Sequence, residues 1–168
     1  MGLGHTHLQG AELAVVDRQI DETNVLVGER AAGQLAVLRE VLASGLIKRE
    51  ELWITSKLWN DKHGEADVIP ACQQSLHDLG LEYLDLYLVH YPPSRLGTPL
   101  EETIGAMEEI RQSGKARYIG VSNYGLDDLR ASADLAPITA NQVVHNLFDR
   151  RNQAGIAFAQ ANGVGVMT

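Results

Sequence analysis

Short β-rich runs alternate with longer helical patterns along this chain, and that alternation restricts its fold more than any other feature. Glu12 to Val16, "ELAVV", reads as a weak strand, and Gly33 to Ser44 carries Leu35, Leu38, Val41 and Leu42 at the spacing of one helix face. "ELWITSKLW" (Glu51 to Trp59) follows as a strand, then a helix from Glu65 to Leu79 with Val68, Ile69, Cys72, Leu76 and Leu79 on one stripe. "LDLYLVHYPP" (Leu84 to Pro93) is a strand halted by its prolines, which puts His90 at the exit. Thr98 to Ser113 opens like a helix, with Thr98 as cap and Pro99 at the first helical position. "RYIGVSN" is the next strand, Leu126 to Leu135 the next helix, and "ITANQVVHN" the strand after that. A helix from about Asn152 to Ala161 ends at Gly163, and "VGVMT" is a final strand.

Strands alternating with helices of this length predict right-handed βαβ units and a parallel sheet. Two such architectures compete. An open doubly wound sheet usually carries a glycine loop for a nucleotide after its first strand. The one candidate, "GERAAG" from Gly28 to Gly33, runs on into Gln34-Leu35 instead of Lys-Ser/Thr. A closed barrel gathers polar residues at the carboxyl ends of several strands. Here Lys57, His90, Ser122-Asn123 and Asn141-Gln142 each interrupt an apolar run at or near such an end, which favours the barrel. Trp53 reads as packing, either in the core or turned away from Lys57.

Fourteen basic against 22 acidic residues, net −8, argue against nucleic acid or an anionic membrane surface as partner, and small-molecule chemistry is the better expectation. Cys72 stands alone, so no intramolecular disulfide forms. "MGLGHTHLQG" lacks the regions of a signal peptide, and no apolar run approaches the roughly 20 residues of a membrane span. A soluble, cytoplasmic protein is expected. His5 and His7 lack a third ligand, and residues 1–10 are expected to be disordered.

"WITSKLW", "DLYLVHYP", "MEEIRQSGKARYIGVSNY" and "ITANQVVHN", in this order, resemble the aldo-keto reductases, most specifically over Met107 to Tyr124. The resemblance implies an α/β fold, a parallel (β/α) barrel of the TIM type, and NADPH-dependent reduction of the carbonyl group of small aldehydes and ketones. It implies Lys57 as the catalytic lysine, His90 as the histidine that orients the carbonyl, and Asp17 as the lysine's carboxylate partner. It places Ser122, Asn123 and Gln142 against the nicotinamide carboxamide, and Trp59 and Tyr91 at the substrate mouth.

The departures also carry expectations. All five tyrosines lie at position 83 or later, so "RQIDETNVLVGER" after Asp17 has no counterpart of the family's proton-donating tyrosine. The chain stops on what the resemblance counts as the seventh strand, whereas such barrels take ~250 residues and at least ~200. A single partial domain over 1–168, about six of eight βα units truncated at both ends, is therefore expected, with self-association through open sheet edges. The chain as written is expected to be inactive or a fragment. The alternative is a non-catalytic relative acting as a nucleotide-sensing or interaction module.

Overall fold

The computed structural model describes residues 38–168. The expected strand at Glu12 to Val16, the loop from Gly28 to Gly33, Asp17, His5 and His7, and the disorder expected of residues 1–10 lie outside the described residues.

From residue 55 onward five strands alternate with four helices: β1 (Thr55–Leu58), α1 (Glu65–Leu79), β2 (Leu84–Val89), α2 (Leu100–Gln112), β3 (Ala116–Ser122), α3 (Leu126–Leu135), β4 (Ile138–Gln142), α4 (Gln153–Ala161) and β5 (Gly165–Met167). Every adjacent pair is parallel, and the sheet runs in simple chain order from β1 to β5. A doubly wound sheet reverses its strand order partway, so this sequential order is that of an incomplete (β/α) barrel.

Local chemistry sets the element ends. Gly80 closes α1 in the left-handed region at φ 70°, a conformation glycine adopts without Cβ strain. The expected cap of α2 is displaced by one residue: Pro99 occupies the N-cap and Leu100 is the first helical residue. Thr98 belongs to the turn before it, because its N–H donates to the Pro93 carbonyl at 3.3 Å. The expected strand from Glu51 is also shorter, since Arg49–Glu51 winds into a 3-10 turn.

The sheet's two faces divide the core. Ile54, Leu58, Tyr87, Val89, Ile119 and Val121 pack with Val68, Cys72, Ile104, Met107 and Ile110 of the helices. On the other face Leu86, Leu88 and Ala140 form a smaller cluster against Met167. The alternation of β2 separates the two sets: Tyr87 and Val89 face the helices, Leu86 and Leu88 the inner side. Gly120, the partner of Leu88 on β3, is required there, because a Cβ would lie 2.6 Å from the Ala140 carbonyl oxygen.

At the amino ends of the strands a buried carboxylate ties three segments together. Asp85 accepts from the Ile54 N–H at 2.8 Å and from Arg49 at 2.7 Å, and Arg117 reaches it at 3.3 Å. Both guanidiniums also lie over the Tyr83 ring, at 4.0 and 4.3 Å. Trp53 is not core: it is 43% exposed and stacks on Tyr118, its ring held by a neighbouring aromatic instead of by burial. Among the described residues, no helix is long and apolar enough to cross a membrane.

Candidate functional site

At the opposite, carboxyl ends of the strands the inner-face residues change from apolar to polar. Lys57 pairs in register with Leu88, so its side chain shares the inner face, and His90 lies two residues beyond Leu88 on that face. Ser122 stands two residues beyond Gly120 and Gln142 two beyond Ala140, so the same step recurs on β2, β3 and β4, with Lys57 of β1 alongside. The result is a cavity of about 350 Å³ with Lys57, His90, Ser122, Asn123 and Gln142 on its wall.

The backbone around His90 is fixed on both sides. Its N–H donates to the Leu58 carbonyl at 3.2 Å, and its carbonyl accepts from Asn123 Nδ2 at 3.0 Å. The imidazole lies between two aromatic rings: Trp59 stacked at 4.7 Å and Tyr91 edge-on at 4.6 Å. Trp59 and Tyr91 thus flank His90 directly. Lys57 is buried, 8% exposed, and lines the cavity wall.

Asn123 is the one described non-glycine residue with positive φ, at 61°. Asparagine tolerates that region because its short amide can bond locally. Here Nδ2 also donates to Ser122 Oγ at 3.1 Å, while the Asn123 N–H donates to the Gln142 carbonyl at 2.7 Å. Since Ser122 Oγ accepts from Asn123, its own O–H is left to donate, and Asn123 Oδ1 is left to accept.

Asn141, expected beside Gln142 at the mouth, faces the other way. It pairs with Val121 of the helix-facing core, and its Nδ2 donates to the Tyr124 carbonyl at 3.1 Å. Period-two alternation allows only one of two consecutive strand residues on each face, and Gln142 is the one turned inward. Asp17 lies outside the described residues.

Several cavity residues were not apparent from sequence. Val143, Val144, His145, Asn146 and Thr168 also line the wall. The run "VVHN" directly after Gln142 held that signal, had it been read as a loop leaving the strand. His63, which does not line the cavity, was not apparent either: it is 2% exposed, in the loop between β1 and α1, and among the described residues neither ring nitrogen has a hydrogen-bond partner. Burial, then the nearby His90 charge, lower its pKa from the ordinary histidine value, against a weaker opposite pull from Asp61. Its position in the polar stretch "NDKHGE" gave no hint of burial.

Beside Tyr91 a second cavity of about 320 Å³ shares Asn123 and Val144 with the first and adds Asp149, Arg151 and Asn152. Among the described residues no cluster of three or more His, Cys, Asp or Glu is placed to hold a metal ion.

Comparison with known proteins adds three findings. Residues 28–168 match the family described as the aldo/keto reductase family. Aldo-keto reductase AKR2E4 of Bombyx mori is 40% identical over 159 residues, covering 89% of this chain and 50% of its own, and aldo/keto reductase slr0942 of Synechocystis is 39% identical over 144, covering 75% and 43%. The crystal structure of the Bombyx mori protein in complex with NADP superposes with a TM-score of 0.71 at 38% identity, covering 83% of this chain and 48% of that one. The chain spans about half the length of the curated relatives it matches.

Proposed function

Because this chain belongs to the aldo/keto reductase family, we propose that it holds the nicotinamide end of NADPH and orients a small aldehyde or ketone for reduction to the alcohol. The single observation that carries this reading is the convergence of Lys57, His90, Ser122, Asn123 and Gln142 on one cavity.

The donor set fits the cofactor. A carboxamide has an oxygen that accepts and an NH₂ that donates, so its site needs one partner of each kind. The Ser122 hydroxyl supplies the donor, Asn123 Oδ1 the acceptor, and Gln142 an amide on the same wall. When bound, NADPH supplies the hydride equivalent that reduces the carbonyl carbon.

The chain's own residues do the rest. His90, held between Trp59 and Tyr91, presents its imidazole N–H to the carbonyl oxygen and fixes the direction from which the carbon is approached. Lys57 places positive charge where negative charge develops on that oxygen. Protonation of the oxygen is the step without a family counterpart. Tyr87 and Tyr124 are fully buried, Tyr83 lies between two arginines, and Tyr118 stacks on Trp53, all away from the cavity wall. Tyr91 flanks His90 but stands at the family's substrate aromatic. That absence favours a second reading, in which the chain binds the nucleotide and does not turn it over.

Nicotinamide mononucleotide tests the shared core of both readings, since it carries only the end these residues contact. Its binding is followed by fluorescence of Trp59 in a Trp53→Phe background. Saturable quenching weakened at least tenfold by Asn123→Ala supports the site. No quenching at millimolar ligand in folded protein overturns it.

A further inference from the structure

His90 owes its ring environment to Trp59, and Trp59 stands at the start of a loop whose other end is fixed from a distance. Four residues after Trp59, the His63 carbonyl accepts a hydrogen bond of 2.7 Å from Thr103 Oγ1. Thr103 lies forty positions further along the chain, on α2, and is fully buried. Within the loop the Lys62 N–H donates to the Trp59 carbonyl at 3.1 Å, so the turn that carries the indole is continuous with the residue that Thr103 holds. The His63 ring is sealed from solvent, and among the described residues neither nitrogen has a hydrogen-bond partner, so burial favours its uncharged form.

We propose that Thr103 and His63 are positioning residues for His90. The Thr103 hydroxyl clamps the β1–α1 loop through the His63 carbonyl, the neutral His63 ring fills the space behind it, and together they hold the Trp59 indole against the His90 imidazole. The relevance of this clamp to catalysis rests on the reading of His90 as the carbonyl-orienting residue; the clamp itself does not.

The clamp has a chemical logic. A hydroxyl-to-carbonyl bond is directional, so it fixes the loop more narrowly than apolar contact alone. The nearby His90 charge in turn helps burial keep the His63 ring uncharged. The charged groups acting on His63 are His90 and Asp61, and Asp61 is solvent-exposed.

The test reads the His90 ring protons by NMR, because the stacked Trp59 indole shifts them upfield; Trp59→Leu, which keeps the edge-on Tyr91 ring, gives the size of the indole's own contribution. Thr103→Val keeps the shape and removes the hydroxyl. It is expected to abolish at least half of the upfield shift, and Thr103→Ser to restore it. Ile110→Val, in the same helix and equally buried, is the control: it lowers stability and leaves the His90 signals in place. His63→Phe keeps both the main-chain acceptor and an uncharged ring, so the shift should persist, whereas His63→Ala should reduce it. An unchanged shift in folded Thr103→Val overturns the clamp, and loss of the shift in His63→Phe overturns the role given to the His63 ring. If Thr103→Val does not fold, the two His63 variants decide. Failure of nicotinamide mononucleotide to bind, with these shifts as expected, would refute the proposed function and leave the clamp standing.

Discussion

The side-chain amide of Asn123 donates to the main-chain carbonyl of His90 at 3.0 Å, which ties the exit of β3 to the exit of β2 across the floor of the cavity. One residue thus sets the distance between the main chain of His90 and the side chain of Ser122.

Asn123 holds this position at φ 61°, so its two roles can be separated. Asn123→Ala should lose about 1–2 kcal/mol from left-handed strain in addition to the lost hydrogen bonds. Asn123→Gly removes the strain and keeps the lost bonds. Urea unfolding should rank wild type above Gly above Ala, while nucleotide binding falls similarly in both variants.

Gly120 faces a different limit. With a Cβ only 2.6 Å from the Ala140 carbonyl oxygen and 2.7 Å from Leu88 Cδ2, Gly120→Ala overpacks the inner face. A loss of about 1–3 kcal/mol is expected, read as a lower denaturant midpoint.

Asp85 is buried with two arginines and a main-chain N–H on its carboxylate. Asp85→Ala leaves those donors without their acceptor, and should cost about 3–5 kcal/mol. Equilibrium unfolding measures it, and a loss below 1 kcal/mol would show that water enters and solvates the arginines.

His63 makes stability depend on pH. Burial lowers its folded pKa below the unfolded value of about 6.5. As pH falls, the unfolded chain takes up the proton first. The contribution is therefore fully present above about pH 6.5 and is lost below it, towards the folded pKa. His63→Phe should flatten that limb of the stability curve, and an identical acid limb in the variant would assign it to other groups.

Turnover is the sharpest expectation. General acid catalysis contributes typically 10²–10⁴-fold, and no tyrosine follows Asp17 before position 83. Under the second reading, in which the nucleotide is bound but not turned over, NADPH with a reactive aromatic aldehyde should be consumed no faster than in buffer, and Lys57→Ala should change nothing. Absorbance at the nicotinamide band decides: clear turnover lost in Lys57→Ala would mean that another group delivers the proton.

The sequence was most legible where one local signal governs. The bounds of α1 and α3 follow from apolar stripes between helix stops, and Lys57 and His90 stood out because a charge or an imidazole ends an apolar run. Asn141 was misplaced because composition cannot say which of two adjacent polar residues faces inward, while register can. Thr98 has the chemistry of a cap, yet a main-chain bond to Pro93 claimed it for the preceding turn. His63 was invisible for a deeper reason: its burial depends on Thr103, forty positions away, and no local pattern encodes that meeting.

The simple strand order has a consequence for how the molecule comes into being. Each described strand hydrogen-bonds to the one made just before it, so no sheet pairing among them skips over a strand still to be synthesised. Loop-closure entropy is met in small instalments, one helical crossover at a time. The described sheet can therefore grow in step with a nascent chain, each new strand finding its template already laid down.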